Sequence, residues 1–345
     1  MPINAQHRMD PALKGVVWTR TSKEGRRERA ALADDLDVDL AVVGGGFCGL
    51  AAALHAAASG LSVAVLEAGI VGGGASGRNG GFVVPHFPGA ITPGGVRALL
   101  GAKKGAALCE LVASGPDAVM AQIARYQIAC DAQQNGWIQP AHSAKALAKV
   151  RRVYEEWRAL GAPVEWLDGA GVAAATGAAG YLGGWRRASG AQLNPYALCQ
   201  GLARAAENHG ARIFERSAAV DIAASGGRPV VTANGRRLRA RKLFLATNGY
   251  TAALIADEDR SIIPVQLYHV ATKPLSAARR RLVNPGEGCF TDLRKSGGFG
   301  RYDIDGRLIS GGAVFAGARP GYGEAHARKR MAELFPAFGG RPAAR

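Results

Sequence analysis

Between Asp37 and Gly69 the chain reads DVDLAVVGGGFCGLAAALHAAASGLSVAVLEAG, and few folds accept that order. The short apolar run Asp39–Val43 suits a buried parallel strand. Gly44-Gly45-Gly46-Phe47-Cys48-Gly49 fits G-x-G-x-x-G. Leu50–Ala58 is strongly helix-forming, Gly60 ends that helix, and Leu61–Leu66 reads as a second strand closed by Glu67. In such a unit Gly44 makes the tight turn, Gly46 lets the backbone approach a pyrophosphate, and Gly49 lets the helix lie close to the strand. The helix N-terminus, at Phe47 and Cys48, offers free N–H groups and a positive dipole to phosphates. Glu67, about 20 residues on and followed by Ala68, accepts from ribose hydroxyls and disfavours a 2′-phosphate. The pattern predicts a dinucleotide site but does not choose between NAD and FAD.

The next segment bears on that choice. GGGASGRNGGFVVP, Gly72–Pro85, holds six glycines in fourteen residues. Either it is an ordinary surface loop, or its backbone comes very close to something that is not protein. An NAD-linked dehydrogenase would run from Glu67 into its next helix with no demand for glycine. The run Gly72-Gly73-Gly74-Ala75-Ser76-Gly77-Arg78-Asn79-Gly80-Gly81 resembles the loop after the second strand in the D-amino-acid-oxidase-like (DAO) superfamily of FAD oxidoreductases. GASGRNGG is most similar to the gamma-glutamylputrescine oxidoreductase branch. The resemblance implies that Gly74, Ala75, Ser76, Arg78, Asn79, Gly80 and Gly81 pass along the ribityl chain and flavin ring.

Three further stretches carry the resemblance. Gly190–Ile222 is similar to the family's return to the FAD domain, with Pro195 opening a helix to about His209, Gly210 capping it and a strand from Arg212. The resemblance puts Val220 at the adenine through its backbone. Arg241–Thr251 resembles the strand-plus-glycine turn near the adenosine phosphates, at Ala246, Thr247 and Gly249. Phe290–Gly312 resembles a hairpin of the substrate domain, with Asp305-Gly306 as its turn signal. Arg294 and Arg301 there are placed to reach a substrate carboxylate or carbonyl. Ile262–Leu275 looks like a substrate-domain strand on which Tyr268 and His269 point to opposite faces. The catalytic candidates are His269, Arg301 and His86, each set against an ordinary structural role. Branch members often carry a Glu where Lys273 stands, which loosens the subtype.

The implied reaction moves a hydride equivalent from the carbon beside a substrate amine to the flavin. An imine forms and hydrolyses to an aldehyde or keto acid, and oxygen commonly reoxidises the flavin with release of hydrogen peroxide. The substrate is a small amine or amino acid. The scheme needs no acid–base dyad, and the sequence offers no Ser-His-Asp order, no paired catalytic carboxylates and no metal-ligand spacing. No cysteine lies in a flavinylation motif, so the FAD is expected to be non-covalent.

The remaining features bound the alternatives. The net charge is +16, from 43 Lys and Arg against 27 Asp and Glu. The basic residues are dispersed, and the densest cluster, Arg279-Arg280-Arg281, is short and lacks interleaved aromatics, so no nucleic-acid partner is expected. Five cysteines without a C-x-x-C pair fit a reducing compartment. A polar N-terminus and glycine-interrupted apolar runs predict neither a signal peptide nor a membrane span, and a cytoplasmic location follows.

The expected fold is α/β: a Rossmann-like FAD-binding domain (36–95 and 190–260) interleaved along the chain with a mixed or antiparallel-sheet substrate domain (96–189 and 261–323). Residues 324–345 read as a truncated C-terminal helix and tail, because family members return to the FAD domain there with another glycine-rich segment. Two rival readings remain at this level: a non-catalytic remnant that binds FAD weakly or not at all, and an NAD-linked dehydrogenase.

Overall fold

The computed structural model describes residues 13, 15–251, 254–255, 261–262, 266–295, 297–314 and 322–338. Parts of the expected 190–260 and 262–275 segments, and the tail beyond 338, lie outside the described residues. Among the described residues fifteen strands run in chain order: β1 (Leu36–Val43), β2 (Val63–Leu66), β3 (Phe82–Val83), β4 (Trp137–Ala141), β5 (Val164–Asp168), β6 (Gly183–Arg187), β7 (Ala191–Gln192), β8 (Arg212–Phe214), β9 (Ala219–Ser225), β10 (Arg228–Ala233), β11 (Arg236–Leu245), β12 (Gln266–Ala271), β13 (Cys289–Thr291), β14 (Phe299–Tyr302) and β15 (Leu308–Val314).

The chain divides into two compact units and passes between them several times. The first takes residues up to Asn79, Ile123–Cys130 and Asn194 to 262; the second takes Gly80–Gln122, Asp131–Leu193 and the residues from 266 on.

The first unit is built on a six-stranded sheet of order β8-β2-β1-β11-β10-β9. Its first four strands are parallel, and β10 runs antiparallel to both β11 and β9. All four residues of β2 are buried, as are Ala41, Val42 and Val43 of β1. Such continuous apolar runs belong to strands covered on both faces. The helices Phe47–Ala58 and Pro195–Asn208 pack together beside this sheet. The second helix starts on Pro195, with the Asn194 side chain accepting from Ala197 N at 3.0 Å. It ends before Gly210, whose φ of +92° suits a residue without Cβ.

The second unit holds a seven-stranded mixed sheet of order β12-β15-β14-β13-β4-β6-β5. Only β13 and β4 pair in parallel; the other neighbours are antiparallel. The turn from β14 to β15 closes on Asp303, whose carboxylate accepts from Asp305 N at 3.0 Å and Arg307 N at 2.8 Å, with Gly306 at φ +76°. A two-stranded pair, β3 with β7, completes the unit. Its core includes Trp137, Trp157 and Trp185 around helix Ala144–Ala159. Helix Tyr322–Leu334 packs on β15 and β12. Among the described residues no helix is long and apolar enough to cross a membrane.

Gly201 shows packing overriding local preference. It sits inside helix Pro195–Asn208, where alanine is intrinsically better by about 1 kcal/mol. A Cβ there would lie 2.2 Å from Ile128 Cγ2 and 3.0 Å from Ile128 Cβ, and overpacking of that kind costs about 1–3 kcal/mol. Gly201→Ala is therefore expected to lower the urea midpoint of unfolding, and a raised midpoint would show that the contact relaxes freely.

Candidate functional site

Three parallel strands of the first unit end in one row. Val43 is in register with both Leu66 and Leu245, so the residues that follow, Gly44, Glu67 and Ala246, emerge side by side. The carboxyl ends of parallel strands are where such sheets bind ligands.

Close approach within the protein dictates the glycines of this row. Gly44 has φ +113°, and a Cβ on it would sit 2.6 Å from Ala246 O. A Cβ on Gly49 would sit 2.0 Å from Gly44 O, so only glycine lets helix Phe47–Ala58 begin directly above the turn. Ala246 N donates to Val43 O at 2.8 Å, which fastens the β11 turn to β1. Thr247 follows with its hydroxyl 2.7 Å from that of Thr251, and Gly249 lies in the 3₁₀ turn Asn248–Tyr250.

Glu67 is buried beside the glycine turn. One carboxylate oxygen accepts from Gly45 N and the other from Gly69 N, both at 2.8 Å; Ala68 joins the two. Burial raises the carboxyl's pKa, opposed by the two N–H donors and reinforced by the Glu215 carboxylate. Two oxygens have about four acceptor positions between them, so the two backbone bonds leave capacity for further donors. Glu215, fully buried, accepts from Val71 N at 2.9 Å and pairs with Arg26 at 3.1 Å. It supports the segment after β2, and nothing in its local sequence marks it out.

The glycine-rich loop is compact. Its 3₁₀ turn, Ala75–Gly77, directs the Ser76 hydroxyl to the first turn of helix Phe47–Ala58, where it accepts from Phe47 N at 3.1 Å. Arg78 Nε donates to Gly73 O at 2.7 Å, and Asn79 Nδ2 to Ser76 O at 2.7 Å. A Cβ on Gly77 would meet Gly72 O at 2.1 Å, one on Gly72 would meet Cys199 Cβ at 2.9 Å, and one on Gly74 the Tyr250 ring at 3.1 Å. The choice between surface loop and ligand loop is thus incomplete: several of these glycines answer to the protein's own packing. Gly46 belongs with them, since its Cβ would project onto Ser76 Oγ at 2.7 Å, over the helix N-terminus. Cys48 is exposed in that first turn.

Val220 is 68% exposed. It is the residue passed over where the β9–β10 register shifts, Asp221 pairing with Thr232 and Ala219 with Ala233. A bulge of this kind releases backbone groups from the ladder.

In the second unit, His269 of β12, Gly311 of β15 and Phe299 of β14 fall in one cross-strand row, and Arg301, two residues along β14, shares their face. The His269 and Phe299 rings meet edge to face at 5.2 Å, and Phe299 meets Phe82 likewise at 5.7 Å. Sequence reasoning missed Phe82 and Phe299; the strand alternation of β14 carried the signal for Phe299. Burial, helped by the Arg301 charge, lowers the His269 pKa to about 4, leaving a neutral imidazole at pH 7. Arg294 ion-pairs with Asp292 and donates to the Tyr181 hydroxyl at 3.2 Å. Arg301 is 3% exposed; its Nη1 donates to the carbonyls of Gly80 at 3.0 Å, Gly81 at 2.9 Å and Leu193 at 2.6 Å.

His86 stands in a different setting. Its Nδ1 accepts from Trp157 Nε1 at 3.0 Å and its Nε2 contacts Gly89 O at 3.3 Å, so the proton resides on Nε2. The rings of Phe87, Trp137, Trp157 and Trp185 surround it, and burial depresses its pKa to about 4. Both ring nitrogens are engaged by protein groups. Among the described residues no group of three His, Cys, Asp or Glu side chains could hold a metal.

A strand–glycine turn–helix unit with a buried carboxylate at the second strand end defines a Rossmann-like dinucleotide fold. Residues 39–345 match the family model for FAD dependent oxidoreductases, DAO, and the chain belongs to that family. It is therefore an FAD-dependent oxidoreductase. It is 32% identical to gamma-glutamylputrescine oxidoreductase of Escherichia coli (strain K12) over 290 residues, covering 84% of this chain and 67% of the relative. The fold resembles glycine oxidase from Geobacillus kaustophilus (TM-score 0.69, 23% identity, 88% of this chain and 79% of the other). It resembles L-proline dehydrogenase from P. horikoshii equally (TM-score 0.69, 16% identity, 89% and 79%). The residues fit the cofactor of the family: Cys48 N lies in the first turn of a helix that starts at the strand ends, and Glu67 keeps acceptor capacity beside it.

His86 generates a stability prediction. Its folded pKa, about 4, lies below the ordinary 6.5, so its contribution is complete above pH 6.5 and is lost as pH falls toward 4. That difference is worth on the order of 3 kcal/mol. A His86→Gln variant, less stable than the parent at pH 7, should lose about that much less between pH 6.5 and 4 in urea unfolding. Parallel curves for the two proteins would contradict the neutral, caged imidazole.

Proposed function

We propose that the protein oxidises the carbon–nitrogen bond of a small amine or amino acid, of the gamma-glutamylputrescine kind, to an imine that water hydrolyses to an aldehyde or keto acid. The observation that carries the reading is the row Gly44, Glu67 and Ala246 at the ends of three parallel strands, in a chain 32% identical to gamma-glutamylputrescine oxidoreductase of Escherichia coli.

In this reading the first unit holds the adenosine diphosphate half of FAD. Glu67 accepts from the ribose hydroxyls, the N–H of Cys48 faces the pyrophosphate at the helix start while that of Phe47 is held by the Ser76 hydroxyl, and Ala246, Thr247 and Gly249 border the phosphates. The backbone of Val220 serves the adenine. Gly74, Ala75, Ser76, Arg78, Asn79, Gly80 and Gly81 form the loop along the ribityl chain and ring. Bound FAD supplies the two-electron acceptor, taking the hydride equivalent released when the carbon–hydrogen bond breaks.

The chain's own side chains recognise and orient the substrate. His269 is the strongest candidate for contact with it, beside Phe299, whose ring also meets Phe82 of β3. With a pKa near 4 it is a weak base at neutral pH, so its role is to hydrogen-bond and orient. His86, with both nitrogens taken up, keeps the aromatic core rather than touching substrate. Oxygen is the proposed acceptor for the reduced cofactor.

The test is anaerobic mixing of the FAD-loaded protein with gamma-glutamylputrescine and a panel of primary and secondary amines and amino acids. Bleaching of the visible flavin bands by at least one, with recovery and hydrogen peroxide on admitting oxygen, is the expected result. A bound flavin inert to the whole panel would refute the substrate class.

A further inference from the structure

We propose that Arg301 is a positioning residue: its buried guanidinium clamps the last two glycines of the flavin loop to the segment after β7 and holds that end of the loop in the form FAD binding requires. The proposal rests on the reading of Gly72–Gly81 as the flavin loop.

Three carbonyl oxygens, of Gly80, Gly81 and Leu193, converge within 3.0 Å of a single nitrogen, Arg301 Nη1, while Nε donates to Tyr302 O at 3.0 Å. Converging carbonyl dipoles repel one another, and a charged donor among them makes shorter, stronger hydrogen bonds than a neutral one. A buried carbonyl left without a donor is costly. Burial draws the Arg301 pKa down only to about 10, so the group stays charged at neutral pH.

The three carbonyls stand at two chain crossings. The chain enters the second unit at Gly80 and leaves it after Leu193. These segments are already joined by the β3–β7 pairing, Phe82 with Gln192 and Val83 with Ala191, and by Leu193 N donating to Gly81 O at 2.9 Å. Neither Gly80 nor Gly81 has a side chain that could anchor it, and Gly80 is pressed so close to Phe82 that a Cβ would lie 2.5 Å from the ring. The anchor is supplied from β14 by one side chain. At 3% exposure, that side chain is turned to the backbone rather than outward to a substrate carboxylate.

The experiment compares hydrogen exchange in the flavin-free wild type, Arg301→Lys and Arg301→Met, followed in peptides covering residues 80–84 and 191–194. The Asp303–Arg307 turn serves as internal reference. Arg301→Met should raise exchange in both segments about tenfold, with Arg301→Lys in between and the reference unchanged. FAD affinity should fall by a similar factor, while the KM for amine in the fully loaded enzyme stays constant. Wild-type exchange at both segments overturns the clamp. So does equal acceleration of segments and reference, which marks general structural support. Unaltered FAD affinity with faster exchange overturns the positioning role, and a raised KM with wild-type exchange makes Arg301 a substrate ligand instead. Should Arg301→Met fail to fold, Arg301→Lys decides. A wild type that takes up no FAD refutes the flavin-loop reading by itself, and exchange still judges the clamp.

Discussion

One carboxylate bridges the glycine turn and the segment after the second strand. Glu67 accepts from Gly45 on one side and Gly69 on the other, in a place where burial alone would favour the neutral acid. The β1–β2 ladder, with Gly44 N donating to Leu66 O at 2.8 Å, sets the spacing of the two strand ends, and the bridge joins the turns that follow them. Gly44 and Gly49 then let the helix, the β11 turn and the β1 end close on one another at distances no Cβ permits. The row at the strand ends is in this sense a consequence of backbone packing, completed by one acidic side chain.

How much of this was legible in the sequence depended on how local the cause was. The turn Gly44–Gly49, Glu67 and the helix from Pro195 to the region of Gly210 were all readable, because spacing, capping and strand pattern act over a few residues. The mixed character of the second sheet also followed from short strand-like runs and the Asp305-Gly306 turn. What was hidden was set by long-range contact. The glycines of Gly72–Gly77 looked like room for a ligand, yet Gly72 and Gly77 pack against Cys199 and each other's backbone. Arg294 and Arg301 read alike as arginines able to reach a substrate carboxylate or carbonyl; tertiary contacts send one to Asp292 and Tyr181 and the other to three carbonyls. His86 and His269 were equal candidates, and only the folded chain separates an imidazole ringed by tryptophans from one on an aromatic sheet face.

The strong positive charge acquires a local meaning as well. Much of the arginine is engaged within the fold: Arg29 with Glu207, Arg204 with Glu24, and Arg237 with Asp35. Exposed pairs of this kind add little stability, and the buried ones act by satisfying polar groups that would otherwise be stranded. These pairs tie distant segments of the chain together.

The central claim is that the Gly44–Glu67 unit of this chain holds FAD. The direct measurement is the visible absorption spectrum of the purified protein after incubation with FAD and removal of the excess, for wild type and for Glu67→Gln. In the variant an amide NH2 faces a backbone N–H, and the bridge is broken. The account predicts flavin bands retained by the wild type and much weaker retention by the variant. Equal retention by both would contradict it, as would a wild type that keeps no flavin.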